Sequence, residues 1–229
     1  MVADWPPLRT AELDALQAHY PQLAGPCELL WHSPRPLSAA AIVSTRDGKC
    51  FIKRHLQQVR TVQTLGEEHR FIAHLAGEGL PVVQVLRDAQ GQTAVALGPW
   101  TYEVHAVGAG HDVYRDAHSW TPVADVEQAR EAGPMLARLH RAAAGYHAPQ
   151  RGTHVLVARD NLIRSDDPLA LLSAQCEQRP ALARYLARQP WQAQLQRTLL
   201  PWHAAVGDRL RHEPRLWAHN DWHVSNLLW

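Results

Sequence analysis

The segment Ala218-His219-Asn220-Asp221-Trp222-His223-Val224-Ser225-Asn226 contains the frame His-x-Asp-x-x-x-x-Asn. It sets a carboxylate and a carboxamide on one tight loop. Asp221 can take the proton of an attacking hydroxyl, and Asn226 can hold a magnesium ion on nucleotide phosphates, the division of labour that phosphoryl transfer needs. The apolar flanks Leu216-Trp217-Ala218 and Leu227-Leu228-Trp229 predict two short buried strands holding that loop. A simpler reading is a polar turn with Asp221 capping local amides.

Positive charge is almost all arginine, and Lys49 and Lys53 are the two lysines. Lys53 ends the run Lys49-Cys50-Phe51-Ile52-Lys53, which follows Ala40-Ala41-Ile42-Val43-Ser44-Thr45 across Arg46-Asp47-Gly48. An Asp-Gly between two β-branched, apolar runs predicts a hairpin. Strand alternation then sends Phe51 and Lys53 to one face and Cys50 and Ile52 to the other. A half-buried ammonium needs a partner. The spacing of Val62, Leu65, Phe71, Ile72 and Leu75 predicts an amphipathic helix from Thr61 to Ala76. Glu68 shares a face with Ile72 and Leu75 and is the expected partner, with Glu67 turned further to solvent.

These residues together resemble the aminoglycoside phosphotransferase and choline kinase superfamily, the small-molecule relatives of protein kinases. The resemblance rests on Lys53, on Glu68 ahead of Gly79-Leu80-Pro81-Val82-Val83, on Leu136-Ala137-Arg138-Leu139-His140, and on His219 to Asn226. It implies an α+β, kinase-like two-lobed fold, with a β-rich nucleotide-binding lobe over residues 1–105 and a helical lobe over 106–229. It implies an ATP-dependent transfer of the γ-phosphate to a hydroxyl of a small molecule. Lys53 would orient the α- and β-phosphates, Glu68 would hold Lys53, Asp221 would be the base, His219 would brace the loop and Asn226 would bind Mg2+. The acceptor could be an aminoglycoside, homoserine, choline, a thioribose sugar or a fructosamine.

Two departures from the family pattern stand out. No Gly-x-Gly-x-x-Gly is present; Arg35-Pro36-Leu37-Ser38-Ala39-Ala40-Ala41 takes its place, with Ser38 as the expected nucleotide contact. The family also carries a metal-binding aspartate on a strand beyond this loop, so the expectation is a chain cut short after Asn226, which leaves an inactive kinase-like protein as an alternative. A third reading sets His219, Asp221 and His223 on one side of a strand as ligands of a metal-dependent hydrolase.

The elements that must position these groups are then expected in order. Thr10 caps a peripheral helix to His19, with Leu13 and Leu16 inward. Strands at about Val82–Leu86 and Thr93–Leu97 complete the small lobe. Tyr102 to Val107 forms a final strand before the glycine-rich Gly108-Ala109-Gly110. There the resemblance implies backbone contacts to adenine, assigned to Glu103 and His105. A loop from Asp112 to Trp120 lies over the cleft. A helix opening at Thr121-Pro122 breaks or kinks at Gly133-Pro134 and resumes from Met135 to Ala144. Asp167-Pro168 caps another, and a long helix from Pro190 to Arg211 is interrupted at Pro201, with Trp191 and Trp202 in the core.

Composition sets limits. At 229 residues the chain can bury a sizeable core. A net charge of +1 supplies no field for nucleic acid or an anionic membrane. The three cysteines Cys27, Cys50 and Cys176 lack metal-like spacing, which suits a reducing, cytoplasmic setting. No apolar run approaches the ~20 residues that span a bilayer.

Overall fold

The computed structural model describes residues 5–35, 38–117, 120–149 and 161–229. Contacts divide the chain into one unit of Met1–Leu156 with Leu216–Trp229 and another of Val157–Arg215, which differs from the expected division at 105/106.

In the first unit, five antiparallel strands form one sheet of order β1-β2-β3-β5-β4. They are β1 (Glu28–His32), β2 (Ala39–Thr45), β3 (Gly48–Leu56), β4 (Val95–Leu97) and β5 (Trp100–Ala106). The hairpin expected at Asp47-Gly48 joins β2 to β3, with Thr45 opposite Gly48 and Ala40 opposite Lys53. The stretch expected as a strand at 82–86 is instead an irregular segment that lends isolated backbone bonds to β5, Leu86 N–H to Val104 O at 2.8 Å and Ala106 N–H to Gln84 O at 2.9 Å. A proline at 81 and too few consecutive paired residues keep it from becoming a sixth strand.

Strand alternation gives the sheet two different faces. Ala41, Val43, Ile52 and Val104 point to one side, where they pack with Leu8, Leu13, Leu16, Tyr20 and Leu23 of the N-terminal segment. Helix α1 (Thr10–Gln17) is therefore a wall of the main core and not a peripheral brace, with Leu13 and Leu16 fully buried. Arg9, not Thr10, holds the N-cap position, its backbone N–H bonded to Glu12. Glu12 in turn accepts from Arg54 Nη1 at 2.6 Å and Tyr102 Oη at 2.7 Å, so one carboxylate ties α1 to β3 and β5.

Helix α2 (Val62–Gly77) starts where expected, its Thr61 side chain accepting from the backbone N–H of Thr64 at 3.1 Å. Helix α3 (Val126–Ala143) starts at Asp125, whose side chain accepts from Glu127 N–H. It continues through Pro134, where a break or kink was expected: burial of Leu139, Ala142 and Ala143 offsets the one backbone bond that proline removes. Phe71, Leu75 and Leu80 join those residues in a second core, which also receives Tyr146, Trp217 and Trp222. That core fastens the His219–Asn226 segment to α2 and α3, and it is why residues 126–146 and 216–229 belong with the sheet.

The second unit holds α4 (Asn161–Arg164), α5 (Pro168–Glu177), α6 (Pro180–Leu186), α7 (Trp191–Thr198) and α8 (Leu200–His212). Asp167 caps α5 as expected, accepting from Ala170 N–H at 2.9 Å. The break near Pro201 falls between α7 and α8. Trp202 is 71% exposed, against its expected core position.

Candidate active site

Two polar residues on β3 and two on β5 share the sheet face opposite α1. Lys53 and His55 alternate with the buried Ile52 and Arg54, and Glu103 and His105 alternate with Tyr102 and Val104. The register sets Lys53 directly opposite Glu103. Lys53 Nζ lies 3.3 Å from Glu103 Oε1, and this is the ion pair the lysine makes. The expected Lys53–Glu68 pair is corrected accordingly: Glu68 Oε2 accepts from Arg60 Nη1 at 2.9 Å. One position further along α2, four residues after the buried Leu65, His69 turns inward instead.

Glu103 is 3% exposed and three imidazoles surround it. His55 Nε2 sits 2.8 Å from Oε1, His69 Nε2 2.7 Å from Oε2 and His105 Nε2 3.0 Å from Oε2, the last with poor hydrogen-bond alignment. Burial opposes ionisation of Glu103, but Lys53 and the hydrogen bonds from His105, His55 and His69 outweigh it and hold the carboxyl well below its usual range. Burial also lowers the His55 pKa, partly countered by its bond to Glu103. The arrangement is a buried carboxylate paired with Lys53 and lined by three imidazoles.

His69, Glu103 and His105 form the one set of three potential metal ligands among the described residues, with donor atoms within 4.8 Å of one another. A ligating imidazole normally donates its far N–H to a second partner. Here Nδ1 of His69 and of His105 is buried without one. A His69 that donates from Nε2 to the carboxylate fits its position better than a metal ligand does.

The side chains of Glu103 and His105, on the strand where backbone contacts to adenine are expected, turn into this cluster. After β5, Gly108 and Gly110 let the chain pass against the residues that follow the His219–Asn226 loop. A Cβ on Gly108 would lie 2.4 Å from Leu228 Cδ1, and Gly110, at φ +109°, would meet Trp229 O at 3.0 Å. His111 and Trp229 exchange backbone bonds of 2.7 and 3.1 Å.

The His219–Asn226 loop is an irregular segment with one 3-10 turn over Val224–Asn226, and its flanks are not strands as expected. What holds it is side-chain packing of Trp217 and Trp222 and a local network. Asn220 adopts φ +61°, which turns the chain sharply ahead of Asp221. Asn226 Nδ2 donates to Asp221 O at 2.9 Å and to Asp221 Oδ2 at 3.0 Å, so the carboxylate and carboxamide are locked together. His219 Nδ1 accepts from Asp221 N–H at 3.3 Å and its ring meets Trp222 edge-on. His219 lies at the surface by area, yet protein around its ring desolvates it and lowers its pKa, with Asp221 acting in the opposite sense. The Asp221 side chain remains 59% exposed. His223 Nε2 is 3.5 Å from Asp221 Oδ1, but His219, Asp221 and His223 do not gather into a metal-holding group among the described residues.

Ser38 lies at the entry of β2, partly buried, in the loop that stands where a glycine-rich turn would. From the same loop Arg35 Nη1 donates to Asn226 Oδ1 at 3.3 Å and Nη2 to Tyr114 O at 3.4 Å. Arg35 was not among the sequence-derived site residues; an arginine in the phosphate-covering loop was the available signal.

Comparison with known proteins bears on the fold. A spectinomycin phosphotransferase, solved with ADP and spectinomycin, superposes with a TM-score of 0.52 at 14% identity over 98% of this chain. A microcompartment-associated aminopropanol kinase gives 0.52 at 14% identity over 71%. The chain spans 66% and 48% of the lengths of these two proteins. No curated relative matches the sequence. No helix among the described residues is long and apolar enough to cross a membrane. The α+β fold is the kinase-like one of these enzymes, and the model of the phosphotransferase enzyme family matches residues 38–229: the chain belongs to that family.

Proposed function

We propose that this chain binds MgATP and moves the γ-phosphate to a hydroxyl of a small molecule, with amino sugars and amino alcohols as the first acceptor classes to test. The observation that carries the reading is the Asp221–Asn226 lock. Asn226 Nδ2 is committed to Asp221 and His223, so Oδ1, which accepts a long 3.3 Å bond from Arg35, is the atom left to a metal, while the Asp221 carboxylate stays exposed. Both are hard oxygen donors, the kind magnesium takes, and neither suits zinc as well. Magnesium there would neutralise charge on the phosphates.

In this reading Asp221 accepts the proton of the acceptor hydroxyl as its oxygen attacks the γ-phosphorus. Lys53 lies along the α- and β-phosphates, its ammonium aimed by Glu103 rather than by a helix glutamate. The buried carboxylate fixes Lys53, so the ammonium is positioned before nucleotide arrives, which is where most of the catalysis in such transfers resides. Ser38 stays a proposed backbone contact to the nucleotide. The test is calorimetry of the purified chain with MgATP, followed by transfer from γ-labelled ATP across a panel of aminoglycosides, aminocyclitols and amino alcohols. Label appearing on a hydroxyl of one class supports the reading; absence of nucleotide binding rejects it.

A further inference from the structure

We infer that Arg35 is a phosphate clamp, resting on Asn226 in this structure and transferring to the nucleotide's phosphate oxygens when MgATP binds. The inference rests on the reading above that the cleft takes MgATP, and it assigns a cation that the family pattern does not supply.

A guanidinium carries five N–H donors in a planar fork and keeps its charge at all physiological pH. At Arg35 that fork meets two neutral oxygens, Asn226 Oδ1 at 3.3 Å and Tyr114 O at 3.4 Å, both at the long end of the hydrogen-bond range. Its Nε is buried with no acceptor, and no ion pair among the described residues includes it. Compare Arg54, which is fully buried and whose Nε likewise lacks an acceptor: its Nη1 reaches the Glu12 carboxylate at 2.6 Å and its guanidinium lies 4.4 Å over the Trp100 ring. Arg54 is satisfied by an anion, and Arg35 is not. A partly buried charge held by weak neutral contacts lacks the anionic partner that would stabilise it.

Placement says which anion. Arg35 lies on the loop between β1 and β2, which covers the nucleotide's phosphates in a kinase-like fold, and its tip touches Oδ1 of Asn226, the atom proposed to face the metal and phosphates. A triphosphate presents pairs of oxygens that match the guanidinium fork. The contacts Arg35 would give up are long and neutral, so exchanging them for charge-assisted bonds to phosphate is favourable. This loop lacks glycines that would bring backbone N–H groups to the phosphates, and the arginine supplies from a side chain the donors that such a backbone otherwise provides.

The experiment compares wild type, Arg35→Ala, Arg35→Gln and Arg35→Lys by calorimetry with adenosine, ADP and ATP, each with and without Mg2+, after thermal melts have confirmed that each variant is folded. Arg35→Ala and Arg35→Gln are expected to weaken ATP binding about tenfold, ADP less, and adenosine by less than about twofold, with Arg35→Lys recovering part of the loss. Equal weakening for adenosine and ATP would assign Arg35 a merely structural role and overturn the inference. So would unchanged ATP affinity. If wild type binds ATP and the variants match it, the clamp alone is wrong; if wild type binds no nucleotide, the phosphotransferase reading falls with it.

Discussion

Replacing Glu103 tests the assignment on which the nucleotide-binding half of the site depends. The carboxylate is 3% exposed and holds one ammonium and three imidazoles within 3.3 Å. Glu103→Ala leaves Lys53 without its counter-charge and strands the buried Nε2 groups, and breaking a buried pair in this way costs about 3–5 kcal/mol. For a chain of this size each kcal/mol moves the melting midpoint by roughly 2–4 °C, so the alanine variant should melt about 6–20 °C lower. Glu103→Gln keeps the shape and one acceptor but loses the charge and points an amide N–H at donors, which costs about 1–3 kcal/mol. Because Lys53 is then no longer anchored, ATP affinity should fall in the glutamine variant as it does in Lys53→Ala. Glu68→Ala is the control: its pair with Arg60 lies near the surface, with side chains 24% and 17% exposed, so about 1 kcal/mol or less is expected and ATP affinity should hold. Differential scanning fluorimetry and calorimetry with ATP read both quantities. The reasoning is refuted if Glu68→Ala damages ATP binding as much as Glu103→Gln does, or if Glu103→Gln leaves melting and affinity unaltered.

Further outcomes follow from the same geometry. The pKa values of Glu103, His55 and His219 are lowered on folding, so the unfolded chain binds more protons and stability should decrease with falling pH, first from about pH 6.5 as unfolded histidines charge and again below about pH 4.5 for Glu103; urea midpoints measured between pH 8 and 4 check this, and His55→Gln should flatten the upper part. Asp221→Asn, assayed in a form of the protein that transfers phosphate, should lower turnover at least about a hundredfold with ATP affinity within a few-fold, and unchanged turnover would remove Asp221 from the role of base. Leu16→Ala, at a fully buried position where α1 meets the sheet, should cost about 2–5 kcal/mol in urea unfolding; a loss near zero would return α1 to the periphery.

The sequence by itself determined the pieces whose physics is local. Asp47-Gly48 between β-branched runs made the β2–β3 hairpin, Thr61 started α2, Asp167 capped α5, and the spacing of Asp221 and Asn226 placed the two groups that bond to each other. Each depends on residues within about five positions. Tertiary structure alone decided the partner of Lys53. Glu68 and Glu103 were both available, and the choice was made by the register of β3 against β5, a pairing between segments some fifty residues apart that no periodicity reports. The alternation of Lys53 with His55 and of Glu103 with His105 was visible, but that the two strands lie side by side with those faces aligned was not. Long-range burial likewise carried α3 through Pro134, made α1 part of the core, left Trp202 exposed and brought Arg35 to Asn226 across 191 positions. Local propensity sets which turns and helices can form; which polar groups meet in the interior is settled only when distant segments bury their apolar faces together, because that burial supplies most of the free energy.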